Sequence, residues 1–150
     1  MLKEGMKAPD FSLPDQDGKT RTLSEFAGKK VVLYFYSKDM TAGCAKQAAG
    51  FAALCEQFAQ KNAVVIGVSK DSSASHKKFA EKYALPFILL SDTERQAIEA
   101  YDVWQQKMNY GKPTMGVVHT TYVIDENGVI VKAMGKVKAA DNPAQTLDRL

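Results

Sequence analysis

Two of the chain's 150 residues are cysteines, Cys44 and Cys55, and two are histidines, His76 and His119. Cys44 closes the polar stretch Ser37-Lys38-Asp39-Met40-Thr41-Ala42-Gly43, which follows the apolar run Lys30 to Tyr36. Beyond it Ala48, Phe51, Ala52, Leu54, Cys55 and Phe58 recur at helical spacing. If that helix begins near Thr41 to Gly43, Cys44 lies in its first turn. There, unpaired amides and the positive end of the helix dipole favour a thiolate, the nucleophilic form of cysteine. Thr41 offers a hydroxyl that can donate to a bound oxygen and accept from an amide. Gly43 lets a ligand approach the backbone closely and turns amides inward. The chemistry on offer is that of an activated thiol. The bland alternative, a small buried hydrophobe, fits this polar, Gly-containing junction poorly.

Other chemistries lack their residues. There is no Cys-x-x-Cys pair for disulfide exchange, and two cysteines cannot build a disulfide scaffold. Neither the cysteines nor the histidines stand at zinc-ligand spacing, and no Walker or G-x-G-x-x-G loop is present. No cofactor or metal is therefore expected. The net charge of +3 comes from lysines in scattered pairs such as Lys29-Lys30 and Lys77-Lys78. That pattern reads as solvated faces and not as a nucleic-acid patch. Met1 to Lys7 has no apolar core of a signal peptide, and Val31 to Tyr36 is far shorter than the ~20 residues of a membrane span. A cytoplasmic protein without membrane contact is expected. His76, beside Lys77-Lys78, reads as a surface residue.

The elements that must position Cys44 follow from periodicity. A hairpin turns at Asp17-Gly18, and Ser24 opens one helical turn. Lys30 to Tyr36 and Ala63 to Ser69 lack alternation and suit strands buried on both faces. Ser72 or Ser73 caps a helix to about Tyr83, with Phe79 and Tyr83 on its inner face. Phe87 to Leu90 is a short strand, and Asp92 caps a helix to about Tyr101. Val117 to Ile124 and Val129 to Ala133 flank the turn Asp125-Glu126-Asn127-Gly128. Asn142-Pro143 opens the last helix, with Asn as cap. The order predicts one α/β domain over residues 1–150, its mixed sheet covered by helices on both faces. In such sheets ligands collect beyond the carboxyl ends of the strands, where Cys44 falls.

The blocks Gly5-x-x-Ala8-Pro9-Asp10-Phe11, Tyr34 to Cys44, Val68-Ser69-Lys70-Asp71, Leu89-Leu90-Ser91-Asp92 and Gly116 to Asp125 occur in order along nearly the whole chain. In these the sequence resembles a peroxiredoxin of the Q subgroup, the bacterioferritin comigratory proteins. The resemblance implies a thioredoxin fold with an N-terminal hairpin, and reduction of hydrogen peroxide or organic hydroperoxides. It places Cys44 at the peroxidatic cysteine, whose thiolate attacks the O–O bond and becomes a sulfenic acid. It gives Thr41 the role of holding peroxide and sulfur by hydrogen bonds. The amides of Gly43 and Cys44 then act on the oxygens like an oxyanion hole.

The chain departs from that family pattern at three places. The family's signature proline is Ser37 here, a substrate-pocket position. The family's active-site arginine falls at His119, and an imidazole lacks the permanent charge and rigid fork of a guanidinium. A second cysteine five residues after the first is absent, since Ala49 stands there. Cys55 is eleven residues on, roughly 16 Å along a straight helix, whereas a disulfide needs Cα atoms within about 7 Å. Cys55 reads as a core residue. A one-cysteine enzyme recycled by thioredoxin or a low-molecular-weight thiol is expected, as a monomer or weak homodimer, with an intermolecular Cys44–Cys55 bridge as the variant. The rival from another class is a weakened, peroxidase-like sensor or protein-binding module. A Cys–His hydrolase built on Cys44 and His119 is a further alternative.

Overall fold

The computed structural model describes residues 1–150, with the side chain of Asn109 left aside. A short hairpin of β1 (Ser12–Pro14) and β2 (Thr20–Thr22) precedes β3 (Lys30–Phe35) and α1 (Ala42–Gln60). Then come β4 (Ala63–Ser69), α2 (Ser73–Tyr83), β5 (Ile88–Ser91) and α3 (Gln96–Ala100). A second hairpin, β6 (Trp104–Asn109) and β7 (Lys112–Val117), leads into β8 (Thr120–Ile124), β9 (Ile130–Gly135) and α4 (Asn142–Asp148).

The central sheet has the order β5-β4-β3-β8-β9. The strands joined through helices, β3, β4 and β5, run parallel, and β8 and β9 are antiparallel. Because strand side chains alternate in direction, the unbroken apolar run of β3 feeds two cores. Val31, Leu33 and Phe35 pack with Ile98, Tyr101 and Tyr122 on the face covered by α3 and the N-terminal segment. Val32, Tyr34 and Tyr36 pack with Ala48, Phe51, Phe58 and Phe79 beneath α1 and α2. The expected α/β class and mixed sheet with helices on both faces are present.

Several local expectations shift. The stretch Val117 to Ile124 is not one strand, because β7 ends at Val117 and β8 begins at Thr120. The β6–β7 hairpin is absent from the sequence reading. Its strands carry Gln105, Gln106 and Lys107, so no apolar alternation announces them, and Tyr110 and Gly111, both at positive φ, form its turn. The N-cap residue of α3 is Arg95, not Asp92, though the Asp92 side chain still accepts from the amides of Gln96 and Ile98 at 2.6 and 2.8 Å. Ser72 caps α2, accepting from the Ser75 amide. Ser24 does not cap its turn; the Thr22 hydroxyl accepts from the Glu25 amide instead. Asn142 is not a cap either. It is fully buried and accepts hydrogen bonds from Gln47 of α1 and Thr121 of β8, a tie between three elements. Among the described residues no helix is long and apolar enough to cross a membrane.

Candidate active site

The registry of β3 against β8 builds the site. Phe35 pairs with Thr120, so Ser37, two residues past Phe35, and His119, one before Thr120, emerge side by side at the strand end. Ser37 Oγ lies 3.2 Å from His119 Nε2. The chain then turns through Lys38 to Thr41, and α1 starts at Ala42 with Thr41 as its N-cap residue. The first helical hydrogen bond is Ala45 N–H to Thr41 O at 2.8 Å, so helix geometry leaves the amides of Gly43 and Cys44 without a partner. Cys44 sits in the first turn, as the apolar spacing predicts.

Cys44 is buried, 3% exposed, and its Sγ lies 3.6 Å from Ser37 Oγ and 3.8 Å from His119 Nε2. Burial pushes the thiol up, but hydrogen bonding from His119, with smaller help from the Lys38 backbone, Thr41 and Ser37, outweighs it and brings the pKa down to about 6. A thiolate is thus the dominant form at neutral pH. Thr41 Oγ1 donates to the Lys38 carbonyl at 2.8 Å, closing the turn. A Cβ at Gly43 would meet no atom within 4 Å, so no close backbone packing demands glycine there. Ser37, Thr41, Gly43, Cys44 and His119 are brought to one place; Cys55 is not.

Cys55 faces along α1 but is only half-buried, in a stretch with half-buried Ala52 and Leu54, and so is not the core residue expected. Burial raises its thiol, the opposite of Cys44. Thiol chemistry therefore concentrates at one end of α1.

A family model described as AhpC/TSA family matches residues 5–133. Peroxiredoxin Bcp of Bacillus subtilis is 49% identical over 149 residues, covering 99% of this chain and 95% of that protein. The chain belongs to the peroxiredoxins. Among solved structures it resembles PrxQ of Xylella fastidiosa, with a TM-score of 0.94, 32% identity, and 99% and 95% of the two chains covered. Peroxiredoxin Q of Xanthomonas campestris gives 0.89 at 36% identity, covering 93% and 88%. The fold is the thioredoxin fold of these enzymes, and the peroxiredoxin is a thiol peroxidase of the Bcp/Q group.

One expectation about this peroxiredoxin is overturned. His76 is not on the surface; it is 0% exposed beneath the turn that carries Thr41. Its Nδ1 lies 2.7 Å from Asp39 Oδ2 and its Nε2 2.9 Å from the Leu90 carbonyl. Asp39, itself 3% exposed, also accepts from Tyr36 Oη at 2.6 Å and Ser75 Oγ at 2.8 Å. The adjacent lysines suggested solvent, but His76, Phe79 and Tyr83 stand at helical spacing and share the inner face of α2. That spacing is the signal that places His76 inside. Asp39, Asp71 and His76 hold three ligand-type atoms within 4.8 Å of one another. Those of Asp39 and His76 are engaged in the hydrogen bonds just described, and Asp71 Oδ2 accepts from the Asp39 amide and Ser69 Oγ.

Proposed function

We propose that Cys44 is the peroxidatic residue of a one-cysteine peroxidase acting on hydrogen peroxide and organic hydroperoxides. The observation that carries this reading is the Cys44 thiol, held down to about 6 at a helix start beside Ser37 and His119. Related chemistry supports the substrate class: a structural study of the bacterioferritin comigratory protein of Xanthomonas campestris, at 35% identity, concerns alkyl peroxide reduction. The thiolate attacks one peroxide oxygen, an S–O bond forms as the O–O bond breaks, and the departing alkoxide or hydroxide takes a proton to leave as alcohol or water. The free amides of Gly43 and Cys44 donate to the oxygens along which charge moves, and Thr41 Oγ1, whose own proton goes to the Lys38 carbonyl, accepts from the peroxide O–H. His119 Nε2 donates toward the sulfur.

The sulfenic acid is then reduced from outside. One external thiol forms a mixed disulfide with loss of water, and a second releases the Cys44 thiol as its own disulfide. Thioredoxin or a low-molecular-weight thiol fills this role, because Cys55 lies roughly 16 Å along α1 and cannot reach Cys44. Mass spectrometry and a non-reducing gel after one equivalent of peroxide test the reading. A sulfenic acid on Cys44, with no crosslink, is expected; a Cys44–Cys55 crosslink overturns the one-cysteine cycle. Peroxide-dependent turnover with thioredoxin, glutathione and dithiothreitol side by side identifies the reductant. In place of the family's arginine stands His119, the feature that sustains a sensor reading. A stopped-flow oxidation rate of Cys44 no faster than a free thiol's would decide for the sensor.

A further inference from the structure

The buried cluster under the Ser37–Thr41 turn has chemistry that a structural pin alone does not need. The Leu90 carbonyl only accepts, so His76 Nε2 donates to it. His76 Nδ1 faces Asp39 Oδ2 at 2.7 Å, and Tyr36 Oη already gives its proton to Asp39 Oδ1 at 2.6 Å. Burial holds the Tyr36 phenol well above its usual range, so that proton stays on the ring oxygen. Asp39 lies below its ordinary value: burial raises it, but the hydrogen bond from His76 leads the groups that lower it. A carboxylate oxygen only accepts, so Nδ1 carries a proton as well. His76 is thus clamped with both ring nitrogens facing acceptors.

The ring stands among groups from every neighbouring element. They are Tyr36 at the end of β3, Asp39 in the turn, Asp71 between β4 and α2, Ser75 of α2 and the Leu90 carbonyl of β5. Asp71 Oδ2 accepts from the Asp39 amide at 2.9 Å, so Asp39 is held by both its backbone and its side chain. The next residue, Met40, has φ 66, a left-handed conformation that is strained for a residue with a Cβ. Thr41 then closes the turn onto Lys38. The strained turn whose backbone and hydroxyl stabilise the Cys44 thiolate is thus fastened through Asp39 to His76 and Asp71.

We propose that His76, held as an imidazolium between Asp39 and the Leu90 carbonyl, is a positioning residue for the peroxide reaction, keeping the Ser37–Thr41 turn in its reactive shape through Asp39. It touches neither sulfur nor peroxide. Its removal leaves the carboxylates of Asp39 and Asp71 close together without a cation, so either the turn relaxes or Asp39 takes up a proton and loses its grip. Both outcomes weaken the donors that lower the Cys44 thiol. The inference rests on Cys44 being the peroxidatic residue.

The test uses full-length protein carrying Cys55→Ser, so that all thiol signals come from Cys44. Peroxide oxidation by stopped flow and alkylation by iodoacetamide are both followed across pH for the parent, His76→Asn and Asp39→Asn. Expected are slower peroxide oxidation by about 10- to 100-fold in each variant, a Cys44 titration moved to higher pH, and no further loss in the double variant. A folded His76→Asn with the parent's rate and titration overturns the proposal. Should the variants not fold, nitrogen NMR of the unsubstituted chain at pH 7 decides: a neutral His76 ring overturns it. A parent whose Cys44 alkylates readily but ignores peroxide refutes the peroxidatic reading instead, and the alkylation ratios still report on His76.

Discussion

Cys44 and Cys55 share a helix and differ in chemistry because their surroundings differ. Burial acts on both thiols in the same direction. Only Cys44 gains donors, from His119, Lys38, Thr41 and Ser37. With the folded value near 6, the thiolate is present at neutral pH and is lost as pH falls through that value. The rate of Cys44 oxidation should therefore be flat near pH 8 and drop about tenfold for each unit well below pH 6. A stopped-flow pH series checks this; an inflection near the ordinary thiol range would refute it. The largest lowering contribution comes from His119, so His119→Ala should move the inflection upward. His119→Arg, a permanent cation in the same place, should move it down and raise the rate near pH 6. Cys55→Ser should retain most turnover with an external thiol, whereas Cys44→Ser should have none.

At the scale of elements, the site depends on α1 staying seated. A Cβ on Gly50 would lie 2.8 Å from Pro143 Cγ and 3.3 Å from its Cβ, so α1 and α4 touch only because residue 50 has no side chain. α4 cannot simply swing away, because Asn142 ties it to Gln47 and Thr121 in the interior. Gly50→Ala should lower stability by about 1 kcal/mol, the overpacking cost less the better helix propensity of alanine. Thermal denaturation should show the midpoint falling by about 2–6 °C; an unchanged or higher midpoint would mean that α4 shifts freely. The β6–β7 hairpin shows the limit of pattern reading at this scale. Among the described residues its strands pair with each other alone, so their partly polar residues never needed a period-2 apolar face.

At the scale of the whole molecule, the parallel centre and antiparallel flank of the sheet bring two distant segments to one strand end. Ser37 and His119 are 82 positions apart and meet because β3 and β8 pair with Phe35 opposite Thr120. The same sheet places the Ser37–Thr41 turn over the start of α2 and the end of β5, which is how Asp39 comes to His76. The class, the alternation of central strands and helices and the seat of Cys44 were legible in the chain because they rest on local periodicity and on the physics of a helix start. The split of Val117 to Ile124, the buried place of Asn142 and the hydrogen-bond partner of Asp39 were not, since each is decided by what packs opposite.

The amino-acid sequence by itself determined that one cysteine stands at a strand-to-helix junction with no second thiol within disulfide reach. Spacing along one chain is sufficient for that. Only the tertiary structure decided what surrounds the sulfur and what holds its turn. His76 moved from an expected surface position to the interior, and His119 became a donor at 3.8 Å from Cys44. Both outcomes depend on contacts between residues far apart in the chain, and protonation follows those contacts more than it follows residue type.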